Sequence, residues 1–550
     1  MDILIELASL PKILPPLVVL LLLLLLTGIY RLVLYPLILS PLAKIPSAHP
    51  LASITSSWIF WIRYKNVENR TVQDAHKRLG EVIRIGPSEI SVNCVDDGIK
   101  IIYGRGFEKI PIYSFFENYG FVFLMAFVIP PKSLLTYQFR FSNLFSTLDS
   151  KQHAVKRKRI SNIYSKSHLQ SSEDIRVITK TVLYDRFLPF ILERTCNEES
   201  VNVCELFQAS AMDLATAYSF GLKSSTNFVQ QNNKRSEWLD LYLRSRPRDY
   251  VFFLQEFPTL TFCLSKIGIH LVPKNRLAIN DEVDAWCLAM CDGAEESISA
   301  LNCGAERMPG QFPVVYEQIK RVITAKEEIS AEANIVLNSA ASRHEGTKVG
   351  KILSIPRSKQ QLEIASELLD QLIATHETFG ITLLYIYWEL SQNLKMQNQL
   401  REELLHLSWP PITNLMSEDI PSAKDVDELP LLHAIVMETL RLHPAVPGGQ
   451  PRITPPRSKS KLGKYIDIPE HIRVSAYAWN LHRNPDAFPD PEGWHPKRWL
   501  ENSSNSKQWK GIDNKERWFW AFGSGGRMCI GSNFAMQCKY ASLLVSNLER

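Results

Sequence analysis

From Ile13 to Tyr30 the chain runs through 18 consecutive uncharged residues, with an unbroken leucine run from Leu20 to Leu26. About 20 apolar residues suffice to cross a bilayer as a helix, and only a helix satisfies every backbone polar group within one such segment. A second apolar patch, Leu32 to Leu39, follows Arg31. The rival reading is a secretory signal peptide, which calls for a shorter apolar region and a small-residue cleavage site. Here Arg31, Tyr35 and Pro36 follow instead. Lys12 is the one cationic side chain before the span, beside Asp2 and Glu6, whereas Arg31, Lys44, Arg63 and Lys65 come after it. That bias predicts an uncleaved single-pass anchor over residues 1–35 with the body on the cytoplasmic side. Pro36, Pro41, Pro46 and Pro50 predict a stiff, extended linker over residues 36–50.

The 550-residue length exceeds the size at which single cores stop growing, roughly 250–300 residues, so several domains or one large α-rich enzyme domain are admitted. A net charge of +5 gives no argument for a nucleic-acid partner. The nine cysteines are scattered without a CxxC pair, which fits reduced thiols on a cytosol-facing body. Val82 to Ile85 followed by Ile90 to Val92 reads as a short hairpin. Arg357 to Trp409 lacks proline; its apolar spacing predicts one long helix over Leu362 to Leu390 and a second, amphipathic one carrying Arg401, Glu402 and Glu403. Tyr465 to Trp479 alternates like strands. The fold class is therefore mainly α with small β-sheets. The aromatic stretch 111–135, with Tyr113, Phe115, Phe116, Tyr119, Phe121, Phe123 and Phe127, is either a buried core segment or an apolar pocket wall.

Three motifs carry chemistry. Cys529 stands in Phe522-Gly-Ser-Gly-Gly-Arg-Met-Cys-Ile-Gly531. A lone cysteine is commonly a small core hydrophobe. This one follows a glycine-rich turn, which lets backbone amides approach the sulfur, and precedes a helical pattern from Asn533 to Leu548, whose start favours an anion. A thiolate there is an electron-rich ligand for haem iron. The second motif is Glu438-Thr-Leu-Arg441, a pair on one helix face. It is a surface ion pair or, since Leu431 to Met437 is largely apolar, a buried network completed by Arg498. The third is Ala374-Thr-His-Glu377-Thr378 within the long helix, read either as hydroxyl back-bonding to helix carbonyls or as a proton relay.

In this order and spacing the motifs resemble those of the cytochrome P450 family of haem-thiolate monooxygenases, microsomal type, and particularly fungal members of secondary metabolism. The pattern FxxGxRxCxG is complete at Phe522, Gly525, Arg527, Cys529 and Gly531. The ExxR pair, the Pro-x-Arg-aromatic element with Arg498, and His482-Arg-Asn-Pro485 match as well. The resemblance implies haem b with Cys529 as axial iron ligand, and a proximal structure held by Glu438, Arg441 and Arg498. It maps the family's acid-threonine pair onto Glu377 and Thr378, and propionate contacts onto Arg527, Arg452, Arg157 and His153. The basic run from Lys156 to Arg159 is alternatively a solvated face or a docking patch for an acidic reductase. The resemblance further implies a haem-binding monooxygenase domain over 51–550 and a location in the endoplasmic reticulum membrane. Electrons are expected from an NADPH-cytochrome reductase, with a cytochrome b-type donor as an option. The expected substrate is a lipophilic small molecule such as a terpenoid or polyketide.

The chain departs from the family pattern at three places. Thr375 stands where glycine is usual, and Phe379 where a small hydroxyl residue is usual, so a reshaped pocket over the haem is expected. The sequence ends 21 residues after Cys529 (550 − 529), so the domain is expected to be short at its C-terminus, without the small β-region of relatives. The alternatives are a haem-thiolate isomerase or desaturase, and a truncated, non-catalytic membrane protein.

Overall fold

The computed structural model describes residues 18–124, 136–245, 248–325, 358–407, 420–500 and 515–547. The apolar run forms a helix, Val18–Leu39, of 22 residues with a mean hydropathy of 2.4, exposed over its most apolar stretch and buried at Pro36. At 1.5 Å per residue it is about 33 Å long, the thickness of a bilayer core. It fits a membrane anchor. Its last ten residues, Tyr30–Leu39, take the wider π-helical register around Pro36, which has no N–H to donate.

The expected extended linker is not what forms. Residues 36–50 finish the helix and then fold into tight turns, Pro41–Lys44 and Pro50–Ser53. The cause is Arg84, only 1% exposed. Its guanidinium donates to the carbonyls of Pro36, Ser53, Gly86 and Pro87 at 2.7–3.3 Å. Its backbone also pairs with Pro46 and Ala48. A buried cation that needs several acceptors collects prolyl-segment carbonyls that no helix or sheet is using.

The body divides into two compact units. One comprises Met1–Ile110, Pro447–Leu481 and Glu516–Trp518. Its sheet has five strands, β1 (Val82–Gly86), β2 (Glu89–Val92), β3 (Glu108–Lys109), β4 (Arg452–Ile453) and β5 (Arg473–Ser475), in the order β1-β2-β5-β4-β3. The predicted hairpin β1–β2 is antiparallel with Val82 opposite Val92; β2 and β5 run parallel with Ile90 beside Val474. Every residue of β1 and β2 is buried, as β-branched runs covered on both faces should be. Tyr465–Ile468 forms a separate hairpin with Ser460–Leu462. The predicted alternation therefore holds to Ser475, and Ala478–Leu481 is helical.

The other unit comprises Pro111–Val446, His482–Lys515 and Phe519–Arg550. Its functional frame is α1 (Ser150–Ile160), α2 (Val203–Phe220), α3 (Asn232–Ser245), α4 (Arg276–Asn302), α5 (Lys359–Ser391), α6 (Leu394–Leu405), α7 (Pro430–Leu442) and α8 (Ser532–Asn547). The predicted long helix is α5, 33 residues or about 50 Å, started by a capping box of Ser358 and Gln361. Ile364, Leu368, Leu372, Phe379, Leu383, Ile386 and Leu390 form its buried stripe. Each such aliphatic side chain contributes about 1.5–3 kcal/mol by leaving water. At Gly380 the crossing with α2 is so close that a Cβ would lie 2.7 Å from Gln208 Cγ. The predicted amphipathic helix is α6. Its Glu403 caps α7, accepting the N–H groups of Leu431 and Leu432 at 2.7 and 2.8 Å. In the aromatic stretch, Tyr113 is buried and Phe116 meets Phe145 edge to face at 5.0 Å. Phe127 and the side chains of Phe115, Tyr119, Phe121 and Phe123 lie outside the described residues.

Candidate functional site

The Glu438–Arg441 pair is buried, and it is a network. Glu438 and Arg441 are 0% exposed and Arg498 is 3% exposed. All five N–H groups of Arg441 are used: two on Glu438 at 2.8 and 2.9 Å, and three on the carbonyls of His482, Pro491 and Gly493. Arg498 Nε donates to Glu438 Oε1 at 3.0 Å, joined by Trp499 Nε1 and the His495 N–H. One carboxylate thus holds two guanidiniums and the turn from 482 to 499 against α7. Burial lowers the Arg498 pKa, and Glu438 pulls it back up.

The Cys529 loop closes on itself. Cys529 N–H donates to Phe522 O at 2.9 Å and Met528 N–H to Gly525 O at 3.1 Å. Gly523 and Gly525 sit at φ +69° and +70°, which side chains rarely adopt. His482 Nε2 accepts the Trp520 N–H at 2.7 Å, so the turn that the Glu438 network holds also holds the loop's entry. Cys529 is exposed, together with Gly525, Gly526 and Met528. Desolvation pushes the thiol above its ordinary pKa; the Gly531 N–H and the cations Lys539 and Arg157 pull it down. Arg157, on α1, donates to Met528 O at 2.5 Å. Arg527 donates to Thr147 O at 2.6 Å and to Leu148 O.

On α5 the predicted acid and hydroxyl do not meet. Thr378 Oγ1 donates back to Ala374 O at 2.8 Å; Thr375 and Thr382 do the same one turn either side. Glu377 turns instead to Tyr242 on α3, whose hydroxyl donates to Glu377 Oε1. Beside them His376 is 3% exposed, with its ring 5.2 Å from Tyr242 and Nδ1 without a hydrogen-bond partner among the described residues. Burial lowers the His376 pKa to about 4, so the ring is neutral. Phe379, expected to reshape the pocket, packs in the hydrophobic core at 2% exposure.

Of the remaining predicted residues, His153 is buried on α1. Arg452 lies in β4 of the sheet-bearing unit, over the Tyr103 ring at 5.0 Å and donating to Pro451 O at 2.9 Å. Tyr242 and Lys539 were not legible as site residues. Tyr242 approaches Glu377 across 135 positions of sequence, and no local pattern announces that. Lys539 lies between two apolar residues, Cys538 and Tyr540, and all three are buried.

The residues fit a haem. Among the described residues, no group of three or more His, Cys, Asp or Glu could hold a bare metal ion. Cys529 offers one sulfur, which iron that brings its own macrocycle could take as a ligand. The Gly531 N–H and the cations Lys539 and Arg157 work against the burial that keeps the thiol protonated, and a coordinating metal deprotonates a thiol outright. A cavity of about 630 Å³ opens elsewhere, against Phe519, Phe522, Met536 and Tyr540. It touches only Phe522 among the predicted site residues, so it is a poor place for oxygen chemistry.

The family model described as Cytochrome P450 matches residues 325–544. Over 478 residues the chain is 24% identical to the cytochrome P450 monooxygenase avaI of Aspergillus versicolor, covering 86% of this chain and 95% of that relative. It is 23% identical over 509 residues to the cytochrome P450 monooxygenase aflV of Aspergillus parasiticus, covering 92% and 84%. A shorter match, 30% identical over 246 residues, is to cytochrome P450 81F4 of Arabidopsis thaliana, covering 42% and 45%.

Proposed function

This chain belongs to the cytochrome P450 family of monooxygenases, and from that premise we propose that Cys529 is its axial haem ligand and that its substrate is a lipophilic small molecule. The observation that carries the reading is the Cys529 loop: an exposed sulfur with a backbone N–H donor and two cations about it, on a turn braced by His482. Haem, when bound, supplies two-electron activation of O2, with one oxygen atom entering the substrate and the other leaving as water.

The chain's residues do the rest. Arg157 and Arg527 rest on backbone carbonyls, and a propionate is the stronger acceptor for either guanidinium. Glu377 carries the proton through its carboxyl. Tyr242 occupies Oε1, and Oε2 is left for exchange. Thr378 spends its one proton on Ala374 O, so its oxygen keeps lone pairs with which to accept. The Glu438 network keeps the turn behind the loop rigid, which fixes where the thiolate points.

The apolar N-terminal helix and the fungal relatives support a lipophilic secondary metabolite, terpenoid or polyketide, as substrate. The charge bias around the helix supports a cytoplasmic body on the endoplasmic reticulum, supplied with electrons by an NADPH-cytochrome reductase or a cytochrome b-type donor. Labelled O2 in the product separates oxygen insertion from isomerisation or desaturation: label in the product is expected, and an unlabelled oxidised product overturns the reading.

A further inference from the structure

The cavity of about 630 Å³ against Phe522 has no part in the mechanism above. Every residue that lines it belongs to the unit that holds Cys529. Its size falls within the range of about 300–1,000 Å³ in which small molecules are bound. Met437, Phe519, Phe522, Met536 and Ala541 are half-buried on its wall, so apolar surface is left there to cover. Two rings and two thioethers suit a flat aromatic occupant, because ring edges and sulfur both pack well against an aromatic partner.

The charged side chains of the lining neutralise one another. Lys166 pairs with Asp427 at 2.5 Å and Arg176 with Glu173 at 3.1 Å. A charged ligand would therefore leave water without an opposite charge to meet it. Three amides on the wall are different. Gln170 donates through Nε2 to Asp427 Oδ2 at 3.3 Å, Asn533 through Nδ2 to Tyr164 O at 3.0 Å, and Gln537 through Nε2 to Leu169 O at 3.3 Å. Each acceptor fixes the nitrogen on its own side and leaves the amide oxygen as the unspent end. Among the described residues none of the three oxygens has a hydrogen-bond partner. His433 Nδ1 and the Tyr540 hydroxyl, also on the wall, meet at 2.6 Å. Whichever of the two donates, the pair keeps one N–H or O–H unspent.

We propose that this cavity is a second ligand site, apart from the place of oxygen chemistry, for a neutral aromatic molecule that bears several hydroxyl groups. Its hydroxyls donate to the amide oxygens, one of its own oxygens accepts from the His433–Tyr540 pair, and its ring lies on the phenylalanine and methionine side chains. A phenol keeps its proton at neutral pH, so it is the uncharged donor that this wall calls for. The Phe522 carbonyl takes the Cys529 N–H at 2.9 Å, so an occupant bears directly on the cysteine loop.

The test uses the full-length, haem-loaded protein with resveratrol, a planar stilbene with three phenol hydroxyls, and with trans-stilbene, which lacks them. Dissociation constants are read by titration calorimetry in one detergent buffer for the parent, Gln537→Leu and Ala541→Trp. The first variant removes one acceptor, and the second fills the cavity with an indole. Resveratrol is expected to bind the parent saturably, to bind Gln537→Leu about 10-fold more weakly, and to show no measurable binding to Ala541→Trp. Trans-stilbene is expected to bind the parent at least about 10-fold more weakly than resveratrol does. Denaturation midpoints show which variants fold, and Gln537→Leu decides alone where Ala541→Trp does not. An affinity unchanged in either folded variant puts the probe elsewhere and overturns the proposal, as does the lack of saturable binding to the parent. Equal affinity for the two stilbenes overturns the recognition of hydroxyl groups.

Discussion

The network around Glu438 and the loop around Cys529 lie in the same unit, and both bury charge, yet they settle it in opposite ways. At Glu438 every donor has an acceptor: all five N–H groups of Arg441 are used, and the carboxylate takes hydrogen bonds from Arg441, Arg498, Trp499 and the His495 backbone. The network is closed. At Cys529 the sulfur is exposed, Arg157 and Arg527 rest on carbonyls, and Lys539 has no carboxylate among the described residues. The loop is open: its polar groups are arranged for something larger than themselves. A closed network maintains shape, and an open one leaves bonding capacity for a ligand.

If that contrast is right, damage to the closed network shows in stability and damage to the open site shows in turnover. The largest expected effect is from Arg441→Leu, which strands a buried carboxylate between its remaining partners. It should destabilise the protein by about 3–5 kcal/mol, read as a lower midpoint in chemical denaturation. A variant as stable as the parent would make the pair a dispensable ornament. Next, Glu377→Gln keeps shape and removes the exchangeable acid. NADPH-driven turnover should fall by about 10²-fold or more, while the denaturation midpoint stays put.

The third prediction concerns pH. His376 has a folded pKa of about 4 against an ordinary 6.5, so the unfolded chain binds its proton first. Its contribution to stability is therefore complete above pH 6.5 and is lost as pH falls toward 4. Over that window His376→Leu should flatten the fall by up to about 1.4 kcal/mol per pH unit, seen in denaturation series at stepped pH. An unchanged slope means that the ring titrates in the folded state. The smallest effect is expected from Tyr242→Phe, which frees Glu377 without removing it. Stability should change by about 1 kcal/mol or less, and NADPH-driven turnover should fall less than in Glu377→Gln, because the carboxyl stays and loses only its donor.

Much of this was legible in the sequence, for identifiable reasons. Glu438, Arg441 and Arg498 could be read as one network because an apolar run around the pair implied burial, and buried charge needs further partners. The long helix could be read because its apolar period persists for eight turns without proline. What escaped was whatever depends on distant contacts. The prolines of residues 36–50 read as an extended strap, but the guanidinium of Arg84 gathers that segment into turns. Thr378 and Glu377 read as neighbours in one relay; helix geometry sends the hydroxyl back to Ala374 O and the carboxylate across to Tyr242. Phe379 read as a pocket residue, and its place one step further round α5 turns it into the core.

The central claim is that Cys529 ligates the haem iron through its sulfur, and one spectrum tests it. The haem-loaded protein is reduced, exposed to carbon monoxide and compared with Cys529→Ala prepared identically. The account predicts a thiolate-type Soret shift in the parent and its loss in the variant. A shift that survives Cys529→Ala would contradict it.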